Sequence, residues 1–140
     1  MNYKKKIFHV ENISTEKLSK KFKTPLYCYS YLKLKNNVTN FKNHFKKINP
    51  LICFSVKSNS NIKILMEIKN LGLGADVVSK GELMKALKAG IKAKKIVFSG
   101  VGKTYSELEY AINKNILLIN IESKNELLVI EKIAKSKKKK

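Results

Sequence analysis

An α/β fold containing the first half of an eight-unit barrel is what this 140-residue sequence predicts. Three observations carry that prediction. Short β-branched and aromatic runs recur roughly every twenty residues, each followed by a polar loop and then by helical periodicity. The first of them, over 50–56, is β-branched and aromatic enough to read as a strand buried in a parallel sheet. Right-handed crossovers between such strands make successive ones spatial neighbours, so four units amount to half of a barrel of eight.

The elements follow in order. Residues 1–30 form an N-terminal segment of strand and helix, with a short amphipathic helix over 11–23 that opens at Ser14 or Thr15. Residues 31–135 form the half-barrel. Its leading helix, over 31–48, carries Leu32, Val38, Phe41 and Phe45, of which the 38-41-45 series marks one helical face expected in the core. Strands are expected over 50–56, 74–79, 95–100 and 116–122, with a helix over 61–71 after the first and a last helix over 123–134. Residues 136–140 are a Lys-rich end, read as a charged tail or, more simply, as the linker before a further strand.

In parallel α/β folds, ligand chemistry gathers at the carboxyl ends of the strands. Four polar ends open together here: Lys57-Ser58-Asn59, then Asp76 with Ser79 and Glu82, then Gly100 to Thr104, then Glu122-Ser123. Lys57 ends the first apolar run. An amine there is either a surface charge or a partly desolvated nucleophile able to form a Schiff base, with its proton affinity lowered by burial. Asp76 precedes two valines, where a buried acid has little structural purpose. Ser79 and Glu82 have capping-box spacing, so Glu82 serves the helix start, the site, or both.

Gly100-Val-Gly-Lys-Thr104 is not a phosphate-binding P-loop. That motif needs a glycine five positions ahead of the glycine in its Gly-Lys pair, and Val97 stands there. The segment reads instead as a loop lining the site. Lys103 in it either meets an anionic group or is an exposed, incidental lysine.

Four motifs in this order, Thr24-Pro-Leu-Tyr-Cys-Tyr-Ser30, Phe54-Ser-Val-Lys-Ser-Asn59, Gly72-Leu-Gly-Ala-Asp-Val-Val-Ser-Lys-Gly-Glu-Leu83 and Phe98-Ser-Gly-Val-Gly-Lys-Thr104, resemble the amino-terminal part of the diaminopimelate decarboxylase family. The resemblance implies a TIM-type barrel of the alanine-racemase-like group, whose N-terminal segment packs with a C-terminal β domain. It further implies pyridoxal 5'-phosphate as cofactor, Lys57 as its Schiff-base lysine, and conversion of meso-diaminopimelate to L-lysine and carbon dioxide. Asp76 and Glu82 are implied to lie near that lysine, while Asn59, Gly100 and Lys103 line the site.

A small amino-acid substrate and a homodimer that completes the site are implied as well. Ornithine- and arginine-type decarboxylases share the lysine and the acid pair and stay in competition, as does a non-catalytic pyridoxal-phosphate-binding protein. A barrel racemase is disfavoured, because the Tyr-Gly-His-Gly run of that group is replaced by Ser58-Asn-Ser-Asn-Ile62. The chain stops at Lys140, where the family continues into the second half-barrel and the β domain. By resemblance those parts hold the cofactor phosphate, the pyridine nitrogen and the substrate. The 140 residues alone are therefore expected to be inactive, with open strand edges favouring aggregation or partial order.

The net charge of +20 comes from 30 basic residues, all of them lysine. Lysines in nearly every segment, with no arginine and no nucleic-acid-binding motif, fit the output of an AT-rich genome better than specific nucleic-acid recognition, leaving only nonspecific association at low salt. Cys28 and Cys53 fall inside expected strands as small buried hydrophobes, and no disulfide or metal site is expected. His9 and His44 are isolated. No run approaches membrane-spanning length and the start lacks an apolar signal core, so no membrane partner and a cytoplasmic location are expected.

Overall fold

The computed structural model describes residues 2–4 and 6–139. Two compact units are present, Met1–Asn49 and Pro50–Lys140.

In the first unit, β1 (Asn2–Lys4), β2 (Ile7–Val10) and β3 (Ile13–Ser14) form an antiparallel sheet in that order. Pairing of Tyr3 with Phe8 brings their rings to 5.1 Å. Helix α1 (Thr15–Phe22) starts at Ser14, whose hydroxyl accepts the Lys17 N–H at 3.2 Å. Helix α2 (Tyr31–His44) starts at Ser30. The Ser30 hydroxyl donates to Glu11 Oε1 at 2.8 Å, and the Leu32 N–H donates to the same oxygen at 2.9 Å. These bonds, Leu32's first, hold the Glu11 carboxyl below the ordinary glutamate range, as expected of an anion at a helix N-terminus.

The core reading of α2 is corrected, since the helix buries none of its residues. Leu32 and Phe41 are 51% and 52% exposed, and Phe41 and Phe45 pack on each other at 4.9 Å. Periodicity produced the stripe, but it does not specify what covers one. Cys28 is corrected too: it lies in the irregular stretch between α1 and α2 and is half-buried.

The second unit holds a parallel sheet of β4 (Cys53–Ser55), β5 (Gly74–Val77), β6 (Ile96–Phe98) and β7 (Leu118–Ile119), in that order. Helices α3 (Ile62–Asn70), α4 (Lys80–Lys88), α5 (Tyr105–Asn113) and α6 (Lys124–Ser136) alternate with the strands. A doubly wound sheet would reverse direction at a switch point. Here the strands run in strict sequence, as in the arc of a barrel.

Register separates the two faces, because partners across parallel strands share a face and neighbours along one alternate. Ala75 pairs with Ile96 and Val77 with Phe98, and all four are fully buried, as are Leu65, Ile68, Leu83, Leu108 and Ile133 of the helices. Each such aliphatic or aromatic side chain is worth about 1.5–3 kcal/mol of burial. Ser55, Asp76, Val97 and Leu118 form the opposite row, half-buried apart from Leu118 at 51% exposure. One face of the arc is covered and the inner face is open.

All four strands are shorter than the apolar runs that predict them. Pro50 has no N–H for a ladder. Val56 turns away into a 3₁₀ turn (Val56–Ser58), and Ile116 is spent on packing ahead of β7. Helices α3 and α4 end alike. Gly72 and Gly90, at φ 81° and 86°, take the left-handed position a β-carbon would resist, and Leu73 and Ile91 then fold back as buried residues whose N–H groups reach Ile68 and Ala86.

The Lys-rich end is not a free tail as far as Lys139, while Lys140 lies outside the described residues. Helix α6 continues to Ser136, Lys137 pairs with Glu109 at 3.0 Å, and Lys139 donates to Asn115 at 2.7 Å.

Candidate active site

The 3₁₀ turn after β4 anchors itself through Val56, which is fully buried, and lifts Lys57 into solvent. The expected desolvation of Lys57 is therefore corrected: the side chain is exposed. It has no hydrogen bond or ion pair among the described residues. The turn beneath is fixed by Ser58 donating to the Ser55 carbonyl at 2.7 Å. Asn59, half-buried, uses its side-chain oxygen to accept the Asn61 N–H at 3.0 Å, and Asn61 in turn caps α3.

Asp76 pairs in register with Ser55, two residues before Lys57. It is half-buried rather than buried, and it is not isolated. Ser99 donates its hydroxyl to Asp76 Oδ1 at 2.5 Å, and Asn120 Nδ2 donates to Ser99 Oγ at 2.9 Å. Sequence reasoning passed over Ser99 and Asn120. Their signal was available: each is the first polar residue after a strand, at the ends of β6 and β7. Cys53, on β4 next to this group, is half-buried, and burial first, then the Asp76 charge, pushes its thiol above the ordinary range.

Glu82 serves the helix start. Its N–H donates to Ser79 Oγ at 3.2 Å, and its carboxylate accepts the Val78 N–H at 3.0 Å, one residue ahead of the position in a full capping box. The full box is in α5, where Thr104 and Glu107 exchange bonds and Glu107 Oε1 also accepts the Lys80 N–H of α4 at 3.0 Å. Thr104 and then Lys80, by backbone bonds, hold Glu107 below the ordinary glutamate range.

A depressed folded value means a contribution present above the unfolded value and lost as pH falls through the folded one. Near neutral pH, Glu107→Gln is expected to melt below the unsubstituted protein. The gap should close below about pH 4, read as Tm against pH.

The structure corrects the exposed-lysine reading of Lys103. Its ammonium donates to Gly100 O at 2.7 Å, Asn120 O at 2.8 Å and Glu126 Oε1 at 2.8 Å, with side-chain exposures of 1% for Lys103 and 7% for Glu126. All three ammonium protons are used, which leaves none for a ligand. Gly100, at φ 94°, presents its carbonyl to Lys103. The sequence-predicted residues thus divide. Lys57 and Asp76 share one strand end with Ser99 and Asn120, whereas Glu82 and Lys103 are committed to holding the frame.

A family profile described as "Pyridoxal-dependent decarboxylase, pyridoxal binding domain" matches residues 32–139. The chain belongs to the pyridoxal-dependent decarboxylases. Among curated members, the diaminopimelate decarboxylase of Helicobacter pylori strain J99 is 53% identical over 121 residues, 86% of this chain and 30% of the relative. A crystal structure of the H. pylori enzyme complexed with L-lysine superposes with TM-score 0.85 at 50% identity, covering 88% of this chain and 31% of that one. The M. jannaschii diaminopimelate decarboxylase in co-complex with L-lysine gives TM-score 0.94 at 34% identity over 98% of this chain and 33% of that one. The chain thus spans about a third of these decarboxylases, and its half-barrel is their N-terminal barrel portion. Among the described residues no helix is long and apolar enough to cross a membrane.

Proposed function

We propose that this chain is the lysine-bearing half of the cofactor barrel of a diaminopimelate decarboxylase, which releases carbon dioxide from meso-diaminopimelate to leave L-lysine. One observation carries the assignment of roles. Of the two lysines at the strand ends, Lys103 has every proton bound, and Lys57 is exposed with no partner among the described residues. An aldehyde needs a reachable amine, so the residues present fit pyridoxal phosphate at Lys57.

Bound there, the cofactor supplies the sink for the electrons left when the carboxylate departs. The chain's own residues do the rest of this half. Lys57 would hold the cofactor through its exposed amine. Asp76 keeps a carboxylate beside the lysine to receive and steer its ammonium form. The rigid turn of Val56–Ser58 fixes where the amine emerges. The L-lysine complexes of the relatives support an amino-acid substrate, and the 53% identity favours diaminopimelate over ornithine or arginine. A homodimeric, cytoplasmic enzyme completes this reading.

Pyridoxal phosphate added to the purified chain and trapped with borohydride should mark the Lys57 peptide selectively in mass spectrometry. Lys57→Ala should abolish that mark. Label spread over many of the 30 lysines and unchanged in the variant would refute the assignment.

A further inference from the structure

The ends of β5, β6 and β7 are joined by hydrogen bonds whose direction is fixed by chemistry. An ionised Asp76 only accepts, so Ser99 must give it the single hydroxyl proton. Ser99 Oγ then receives, and the amide NH2 of Asn120 is the donor. The Asn120 backbone is held in turn by Lys103, which donates to its carbonyl and is itself pinned by Glu126. Asp76 Oδ1 is therefore engaged from one side. Oδ2 has no hydrogen-bond partner among the described residues.

We propose that Ser99, oriented by Asn120, is the positioning residue that aims the free carboxylate oxygen of Asp76 at Lys57 and the pyridoxal group it holds. The proposal rests on the cofactor reading above and adds to it a residue that acts through Asp76. A carboxylate on a half-exposed strand end turns about two side-chain bonds, and one 2.5 Å bond to a hydroxyl with a single orientation removes that freedom.

The elements packed against the Lys57 turn are β5 and α4, with β4 leading into it. They bring Asp76, Glu82 and Lys85 to this end, while Cys53 opens β4 at its other end, paired with Gly74. Glu82 has one oxygen on the Val78 N–H and Lys85 donates to Ser60 at 2.9 Å, while Asp76 is the carboxylate on β5, the strand that pairs with β4 at Ser55, two residues before Lys57.

The test is the pH dependence of borohydride trapping at Lys57, measured beside thermal unfolding in Ser99→Ala, Ser99→Thr, Asn120→Ala and the Ser99→Ala/Asn120→Ala double variant. A carboxylate held toward an amine favours the ammonium, so losing its aim moves the trapping midpoint to lower pH. Ser99→Ala should lower the midpoint by roughly half a unit or more. Ser99→Thr, which keeps the hydroxyl, should restore it, and Asn120→Ala should fall between. The double variant should match Ser99→Ala alone, because both act through one bond. A midpoint that stays or rises in Ser99→Ala, or additive shifts in the double variant, would overturn the proposal while leaving Lys57 as the cofactor lysine. Absence of Lys57-selective trapping in the unsubstituted chain would overturn both.

Discussion

Lys103→Met is expected to cost about 4 kcal/mol of stability in urea unfolding, the largest effect of any single substitution considered for this chain. The methionine fills much of the lysine's volume, so packing changes little. What changes is charge. Glu126 keeps a carboxylate at 7% exposure with its partner gone, and the carbonyls of Gly100 and Asn120 each lose a donor. Breaking one side of a buried ion pair strands the other charge, whereas replacing both sides with apolar groups is far milder. Lys103→Met/Glu126→Met should therefore recover most of the loss. If the single variant costs under about 1 kcal/mol, the pair behaves as a solvated one and the clamp is not formed. Because Lys103 reaches both the loop after β6 and the end of β7, the single variant should also loosen Asn120.

How much of this was legible in the sequence depends on which signal each residue left. The strand cores were plain, because continuous apolar runs between turn signals leave few alternatives. Their ends were read up to three residues too long, since Val56 stays buried after the β4 ladder has ended and Ile116 is buried before the β7 ladder begins. Lys57 was legible by position, at the end of the first run. Lys103 was not. In a chain with 30 lysines a charge says nothing about burial, and only the fold shows that this one is enclosed.

The helix starts were more legible than the reading made of them. Ser79-x-x-Glu82, Thr104-x-x-Glu107 and Ser123-x-x-Glu126 repeat one signature, of which only the first was singled out. The three glutamates then do three different things: Glu82 binds Val78 N–H, Glu107 joins α5 to α4, and Glu126 holds Lys103. Local pattern set the cap, and the carboxylate's remaining oxygen went to whatever the parallel arrangement brought near. Ser99 and Asn120 stayed hidden for a related reason. Their partnership spans three strands, and no spacing along the chain encodes a hydrogen bond between residues 23 apart.

Gly74→Ala is expected to destabilise by about 3 kcal/mol, seen as a lower Tm and a lower urea midpoint. Nothing about the backbone angle at Gly74 requires glycine; the space does. A β-carbon there would collide with the Lys95 carbonyl oxygen and come within 2.9 Å of Cys53 Sγ. The thiol can rotate away. The carbonyl belongs to the residue that leads into β6, a strand pinned by the fully buried Ile96 and Phe98, so it can move only if the sheet opens. Adding Cys53→Ala should accordingly recover only the smaller part of the loss, and full recovery would mean that the thiol, not the backbone, was the obstacle. Gly81→Ala is the matching control. Gly81 sits in the first turn of α4, with only Ser79 Oγ at 3.8 Å from a built β-carbon, and alanine there should stabilise by roughly 0.5–1 kcal/mol. Opposite signs for the same substitution, seven residues apart, would show that the close approach of β5 to β6 is what Gly74 permits. That approach also brings Asp76, two residues further along β5, within reach of Ser99.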